Sequence, residues 1–353
     1  MTTRTPDGLL LASDIRQTPG AAQAMVANAD NSIDLPRVGT ILAIHGQIAV
    51  NHDNDAAADT PEEDGLGRLI TAINIRDGST KSYFSTNDGR LLQYLTQFTE
   101  GRTAVWPSTL ATVTGGGGAR TENFNFIIDF QDTPTPGGNR GINPEAGIVT
   151  RENNITELKF QIRFGTFGNL STAGDLTVNS ITVTLTPIIV LSHTQSHARL
   201  LANGVAQPVF QTKTEADVVA SGASGLEFNL PNGFLISKTL LIAVDGSNDR
   251  GTVDADIVSS IAYEDKLSGV TPFQTDWTNY RRSLQSSYFG DGTTFADWTN
   301  VALIDWAAIK GGNGLLRKGR QPGDDVLKFT GEAAGDLLLM HKGYVSYGRA
   351  FRG

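Results

Sequence analysis

The chain has 353 residues, of which 39% are hydrophobic and 18% charged, it contains no cysteine, and its formal net charge is −9. This length predicts two domains, and the absence of cysteine excludes disulfides, cysteine-ligated zinc and a thiol nucleophile. The negative charge disfavours nucleic-acid binding, which needs a basic surface to neutralise phosphates, and favours protein partners.

The N-terminal region carries only a weak helical pattern, over residues 7–29, which Pro19 and Gly20 interrupt. Its apolar stretch GLLLA is too short for the core of a signal peptide. No apolar run in the sequence approaches the roughly 18 residues of a membrane span. We therefore expect a protein that folds in the cytoplasm.

A helix is predicted over residues 85–98, STNDGRLLQYLTQF, where apolar residues recur at helical spacing behind a polar cap. The apolar set is Leu91, Leu92, Leu95 and Phe98, and the cap is Thr86, Asn87 and Asp88. We expect these apolar side chains to pack in a core.

Alternation of apolar and polar residues predicts β-strands in three segments: NFNFIIDF at 123–130, ELKFQIRF at 157–164 and SITVTLT at 180–186. Each of these strands presents one apolar and one polar face. This pattern indicates antiparallel sheets in a sandwich or barrel.

The sequence also repeats itself. The segment SIDLPRVGTILAIHGQIAV, residues 32–50, is matched by EFNLPNGFLISKTLLIAVDG, residues 227–246. Further landmarks follow in the same order. The matched pairs are Leu35 with Leu230, Ile73 with Ile261, Asp77 with Asp265, Phe84 with Phe273, Asp129 with Asp305, the Gly-Gly-Asn loops at 137–139 and 311–313, and ELKF at 157–160 with VLKF at 326–329. This conserved order predicts a tandem duplication with a second helix near residues 276–286.

Three segments carry part of a ligand-binding motif. TGGGGAR, residues 114–120, lacks the lysine and hydroxyl of a phosphate-binding loop and is expected to be an outer loop. His193 and His197 have helical spacing, but no third metal ligand accompanies them. The acidic segment 53–65 has alanines at positions 57 and 58, where a calcium-binding EF-hand loop needs a ligand and a glycine.

The acidic segment is therefore expected to be a solvated loop, although the sequence leaves a calcium site open. Its acidic residues are Asp53, Asp55, Asp59, Glu62, Glu63 and Asp64. No GxSxG motif occurs, and a pair of glycosidase carboxylates has no sequence signature. We predict no catalytic, cofactor-binding or metal-binding residue, no cofactor and no enzymatic activity.

Each repeat holds roughly eight strand candidates and one short helix, which suits an eight-stranded jelly roll. Three features then resemble the double jelly-roll major capsid proteins of tailless, membrane-containing icosahedral viruses of the bacteriophage type. They are the opening Leu-Pro strand, the unit INIRDGSTKSYFSTNDGRLLQYL at 73–95, and the closing segments DWAAIKGGNGLL at 305–316 and GDDVLKFTGEAAGDLLLMHKGYV at 323–345. The resemblance covers residues 33–347.

The resemblance implies an all-β fold of two tandem eight-stranded antiparallel jelly-roll barrels with a short helix in each. We expect an N-terminal arm at 1–32, a first barrel at 33–191, a connector with one added strand at 192–225, a second barrel at 226–347 and a tail at 348–353. The arm is either an ordered clamp on a neighbouring capsomer or a loose arm.

The implied function is that of a structural major capsid protein in the shell of a virion. Its homotrimers would form pseudo-hexagonal capsomers that contact neighbouring capsomers, minor capsid proteins and, through the chain termini, an internal membrane. The segment 341–353 suits an anionic lipid surface because Lys342, Arg349 and Arg352 alternate with Tyr344, Tyr347 and Phe351 and no acidic residue is present.

Two other classes of protein remain open. A tandem β-sandwich phage protein that binds receptors or carbohydrates needs exposed aromatic platforms, whereas Trp106, Trp277, Trp298 and Trp306 lie mostly in or beside predicted elements. A carbohydrate-active enzyme on the same fold is the third class, because a fold alone does not establish a function.

Overall fold

The computed structural model describes most of the chain. The described residues are 15–54, 60–78, 81–100, 118–130, 147–149, 157–173, 176–191, 208–219, 222–231, 235–250, 256–288, 299–306, 315–316 and 323–346. Most of them lie in antiparallel strands, so the predicted all-β class is confirmed. Within these ranges, no helix is long and apolar enough to cross a membrane.

The first half of the chain contains twelve strands and two helices. The strands are β1 (Ile15–Gln17), β2 (Gln23–Met25), β3 (Asp30–Asp34), β4 (Thr40–Asn54), β5 (Thr60–Pro61), β6 (Ile70–Asp77), β7 (Lys81–Thr86), β8 (Arg120–Asp129), β9 (Ile148–Val149), β10 (Leu158–Phe164), β11 (Ser171–Ala173) and β12 (Leu176–Val190). The helices are α1 (Gly65–Arg68) and α2 (Gly89–Glu100).

In the second half, the described residues form nine strands and one helix. The strands are β13 (Pro208–Val219), β14 (Leu226–Asn229), β15 (Leu235–Asp245), β16 (Val258–Asp265), β17 (Val270–Asp276), β18 (Val301–Asp305), β19 (Leu315–Leu316), β20 (Asp325–Gly331) and β21 (Gly335–Ser346). Helix α3 (Trp277–Tyr288) follows β17, close to the predicted position.

Both halves have the same strand order. The first half has sheets β1-β12-β4-β8 and β3-β10-β6-β7, and the second has β13-β21-β15-β18 and β14-β20-β16-β17. The short strands β9 and β19 occupy equivalent edges, on β4 and β15 respectively. Strand β13 is the added strand expected in the connector, and it takes the place that β1 has in the first half.

Strand register confirms the repeat residue by residue. Asp129 is opposite Ala43, and Asp305 is opposite Lys238. Ala43 and Lys238 each lie eight residues beyond the leucine of the Leu-Pro pair in the same half. In the adjoining sheet, Phe84 is opposite Ile75 in the first half. Its predicted counterpart Phe273 lies opposite Tyr263, the residue that matches Ile75.

The last landmark is wrong by two residues. Phe160 pairs with Ile75, whereas its equivalent partner in the second half, Tyr263, pairs with Leu327 rather than with Phe329. A slip of two residues leaves every side chain on the same face of a strand, so the alternating pattern did not reveal it.

The repeated Leu-Pro pair marks the corner at which the chain passes from one sheet to the other. The backbone N–H of Leu35 donates to the carbonyl of Leu158 at 2.9 Å, and that of Leu230 donates to the carbonyl of Asp325 at 3.1 Å. Both leucines are buried. Proline suits the next position because it has no N–H to add to the ladder that ends there.

The core follows the predicted alternation. Leu158, Phe160, Ile162 and Phe164 are buried on one face of β10. The rings of Phe126 and Phe160 stack with their centroids 6.0 Å apart. Gly46 lies under the Phe126 ring, and a Cβ atom there would be 2.0 Å from Phe126 Cζ, so only glycine fits this position of β4.

One expectation for the N-terminal region is wrong. The weak helical pattern over residues 7–29 does not form a helix in the described part, because residues 15–17 and 23–25 are strands. They pair with β12 of the same chain, so this part of the predicted arm is ordered. The clamp on a neighbouring capsomer stays a prediction. Residues 1–14 lie outside the described residues.

Candidate functional site

The two halves meet where the turn after β15 packs against helices α1 and α2. Asp245 shapes this turn by accepting hydrogen bonds from the backbone N–H groups of Ser247 at 2.8 Å and Asp249 at 3.0 Å. Asn248 has a left-handed φ of 68°, which asparagine tolerates better than most residues. The turn thereby directs Asn248 and Arg250 toward the first half.

Arg250 of the second half forms the centre of this contact, which we call the junction. Its Nε lies 2.6 Å from Asp64 Oδ2, and its Nη2 lies 3.1 Å from Glu63 Oε1. The Tyr94 hydroxyl donates to the same Asp64 carboxylate at 2.8 Å, and the guanidinium lies 5.1 Å from the centre of the Tyr94 ring. Asp64 is 1% exposed and Arg250 7%.

The electrostatics of the junction keep its groups in complementary states. Burial raises the pKa of Tyr94 well above its ordinary value, so the hydroxyl remains a donor to Asp64. Burial acts to lower the pKa of Arg250, but Tyr94, Asp64 and Glu63 outweigh it and the net shift is upward, so the guanidinium stays charged. Burial also raises the pKa of Glu63, which Arg250 partly offsets.

Two further arginines join the halves. Arg90 of α2 donates from Nη1 to the carbonyl of Asn248 at 2.8 Å and from Nη2 to its side-chain oxygen at 2.7 Å. Arg68 of α1 lies between Glu62 at 2.6 Å and Asp249 at 2.9 Å. A single cluster of buried apolar residues also runs through both halves.

The structure corrects the expectation of a solvated acidic loop. Glu62 and Asp64 are buried and bind arginines, so this end of the acidic segment is a structural contact. Sequence reasoning missed the contact because Arg250 is 186 residues from Asp64 along the chain. Residues 55–59, including Asp55 and Asp59, lie outside the described residues. The described residues contain no cluster of three potential metal ligands.

The remaining candidate residues are buried or lie outside the described ranges. Trp277 and Trp306 are fully buried, and the Trp306 indole donates to Thr239 at 2.8 Å, so neither is an exposed platform for a ligand. Trp106, Trp298, His193, His197, residues 114–117 and both Gly-Gly-Asn loops lie outside the described residues.

The predicted lipid-facing segment is also corrected in part. Lys342 lies within β21 and is 2% exposed, so it faces the protein interior rather than a membrane. It follows that only Arg349 and Arg352 remain as candidate lipid contacts among the three cations. Both lie outside the described residues.

The junction therefore has a mechanical role. Its charged groups are compensated by partners from the other half, and a buried pair of this kind is strongly destabilised when one partner is removed. Together with the shared core, it fixes the orientation of one half relative to the other.

By sequence, the chain matches no protein family and no curated protein. By structure, it is similar to the major capsid protein of Sulfolobus turreted icosahedral virus, with 15% identity and a TM-score of 0.74 over 95% of this chain and 98% of that chain. The chain has a double jelly-roll fold.

Two other double jelly-roll structures are also similar to this chain. The capsid of the virus PBCV-1 has 12% identity and a TM-score of 0.57, covering 94% of this chain and 93% of that chain. The Faustovirus major capsid protein has 9% identity and a TM-score of 0.52, covering 98% and 95%. At such low identity, what is shared is the fold.

Proposed function

We propose that this double jelly-roll protein is a structural major capsid protein, not an enzyme. The observation that carries the proposal is the match over 95% of this chain and 98% of the chain of the Sulfolobus turreted icosahedral virus protein.

The proposed unit is a homotrimer in which each chain contributes two eight-stranded barrels to a pseudo-hexagonal capsomer. The equal strand order of the two halves supports this arrangement, because two similar barrels can take similar places in a ring. The junction supports it as well, because a ring closes only if the angle between the two barrels of each chain is fixed.

In this proposal, capsomers contact one another and minor capsid proteins in the shell of an icosahedral bacteriophage virion with an internal membrane. The chain folds in the host cytoplasm before assembly. The proposal keeps the predicted boundaries, with strands β1 and β2 of the arm joining the sheet of the first barrel through β12.

The experiment is to determine the oligomeric state of the purified protein by sedimentation velocity and the particle shape by electron microscopy. We expect trimers with a hexagonal outline, or shells, at micromolar concentration. A strictly monomeric protein that binds members of a glycan array would refute the capsid function and favour a carbohydrate-binding protein.

A further inference from the structure

The equivalent strands β7 and β17 differ in their surroundings. In β7, Tyr83 is 2% exposed and Phe84 is buried, and the strand lies next to β13 of the second half. In β17, Val270, Thr271 and Pro272 are exposed and Phe273 is half-buried. Strand β7 is therefore covered by β13 of the other half. Its equivalent β17 has no such cover among the described residues.

The helices show the same difference. Every residue of α2 from Gly89 to Phe98 is buried, because this helix lies between its own strand β8 and strands β15 and β21 of the other half. On α3, Asn279, Arg282 and Ser283 are exposed. One side of the second half thus lacks the covering that its counterpart has.

The edge formed by β1 and β2 in the first half is also uncovered among the described residues. Strand β13, which lies beside β7, is equivalent to β1. The described residues from Arg16 to Ala24 are all exposed. If the contact within one chain were repeated between chains, the edge at β1 and β2 of one copy would cover β17 of another.

Exposed apolar residues lie on both of these edges. Leu267 is 70% exposed and Val270 51%, and both are at the hairpin tip between β16 and β17. On the other edge, Val38 is 56% exposed and forms part of a groove of about 350 Å³. The groove also contains Pro19, Leu35, Leu185 and Ile189, of which the last three are buried and supply an apolar floor.

The tip and the groove lie at the same end of the barrels. In the second half, the tip residue Lys266 donates to the carbonyl of Asp324, and the corner residue Leu230 donates to that of Asp325. In the first half, Gly78 and Leu35 bond to the adjacent carbonyls of Glu157 and Leu158. Within one chain, the turn after β15 touches the segment after β4, which is its counterpart, so corresponding ends of the two barrels lie side by side.

We propose that the hairpin tip bearing Leu267 and Val270 docks into the Val38 groove of a second copy of this chain. This contact repeats between copies the relation that β7 and β13 have within one. It uses a different surface on each partner, so it is head-to-tail, and it closes into a trimeric ring when the rotation between copies is one third of a turn. The inference rests on the proposed capsid trimer and identifies the surface that holds it together.

Apart from this groove, the edge of the first half is suited to a contact between separate chains. On β4 the outward residues are His45, Gln47 and Ala49, whereas the equivalent residues of β15, which α2 covers, are Leu240, Ile242 and Val244. A permanently covered face is apolar, while a face that is exposed before assembly is more polar. The tip and groove then provide the apolar contact at one end of a polar surface.

The first test is substitution of each surface separately. Leu267→Glu and Val38→Glu each place a carboxylate in the proposed contact, and we expect the dissociation constant of the trimer to rise at least about 100-fold. Gln161→Glu, in the middle of the outer face of β10, is the control and should remain trimeric. Circular dichroism verifies that the variants are folded. We expect them to fold because both substituted side chains are exposed.

Mixing the two variants tests the head-to-tail geometry. A Val38→Glu copy keeps an intact tip and a Leu267→Glu copy keeps an intact groove, so an equimolar mixture should form dimers with one copy of each. If both variants remain trimeric while the wild type is trimeric, the docking surface is wrong and the capsid function stands. A monomeric wild type would instead overturn the capsid trimer itself.

Crosslinking provides a second measurement that leaves the interface uncharged. The chain has no cysteine, so Val38→Cys and Leu267→Cys introduce the only thiols. A short bis-maleimide should link the double variant into covalent dimers and trimers and leave each single variant unlinked. Efficient linkage of either single variant would show that like surfaces meet, which contradicts the proposal.

Discussion

The side chain of Asp64, a residue predicted to lie in a solvated loop, forms a buried contact between the two halves. Its carboxylate accepts from the Tyr94 hydroxyl and lies 2.6 Å from Arg250, and it is 1% exposed. Desolvating a carboxylate and a guanidinium is costly, and their mutual attraction offsets that cost only with close geometry and further hydrogen bonds. The junction has both features.

We predict that Asp64→Asn lowers the free energy of unfolding by about 3 kcal/mol, because it leaves the Arg250 charge buried with only Glu63 opposite it. Denaturant unfolding at one fixed protein concentration measures the change. The control is Glu227→Gln, which removes an exposed ion pair with Lys266 and Lys328 and should change stability by less than about 1 kcal/mol. Equal losses in the two variants would contradict a special role for the junction.

Sequence reasoning at this scale succeeded where side-chain type alone determines position. The pairs Asp129 with Asp305 and Phe84 with Phe273 were found correctly, because each has a distinctive neighbourhood. The match of ELKF to VLKF was off by two residues, and the burial of Asp64 and Lys342 was missed. In these cases the register or the burial is determined by a strand or an arginine that is distant along the chain.

Among the elements, helix α2 was predicted from apolar spacing and a cap, and helix α3 from its place in the repeat. The cap at α2 is Asp88, whose Oδ1 accepts from the backbone N–H of Arg90 at 2.8 Å. The cap at α3 is Asp276, which accepts from the backbone N–H of Asn279 at 2.9 Å. Their surroundings differ, because Asp88 also forms an ion pair with the Arg90 side chain at 2.7 Å.

This difference makes the two caps a matched pair for experiment. Asp276→Ala should cost about 1 kcal/mol, the usual value for loss of a helix cap. Asp88→Ala should cost about 1 to 2 kcal/mol more, because it also releases Arg90, which binds the turn of the second half. Thermal and denaturant unfolding of both variants measure the difference. Equal costs would mean that the Arg90 bridge contributes nothing beyond the cap.

The N-terminal strands could not be predicted in the same way. Strands β1 and β2 are three residues long and almost wholly exposed, so they lack the alternation that identifies longer strands. They are strands because β12 offers them a free edge. Tertiary context of this kind overrides the weak helical pattern of residues 7–29.

At the scale of the whole molecule, duplication was the most informative signal in the sequence. Once two copies of the Leu-Pro corner were recognised, the order of strands in one half predicted that in the other, and both sheets agree. The way the halves face each other was not predictable. It depends on Arg90 and Arg250, which have no counterparts in a repeat pattern because they exist only where one half meets the other.

The C-terminal tail carries the charges that would face the proposed membrane. With Lys342 buried in β21, the cations available to lipid are Arg349 and Arg352, repeated over three chains of a trimer. Each cation near an anionic surface contributes about 1 kcal/mol and is screened within roughly 8 to 10 Å at physiological salt. Many weak contacts of this kind would hold a capsomer near a bilayer without inserting into it.

We expect removal of residues 348–353 to leave the fold and the trimer intact, because the last strand ends at Ser346. The same removal should weaken binding to vesicles that contain phosphatidylserine, measured by flotation at low salt. Arg349→Gln with Arg352→Gln should reproduce the loss without shortening the chain, and vesicles of phosphatidylcholine alone should bind neither protein. Unchanged binding after truncation would assign the membrane contact to another part of the capsomer, while a full-length trimer that ignores anionic vesicles would remove this contact from the proposed function altogether.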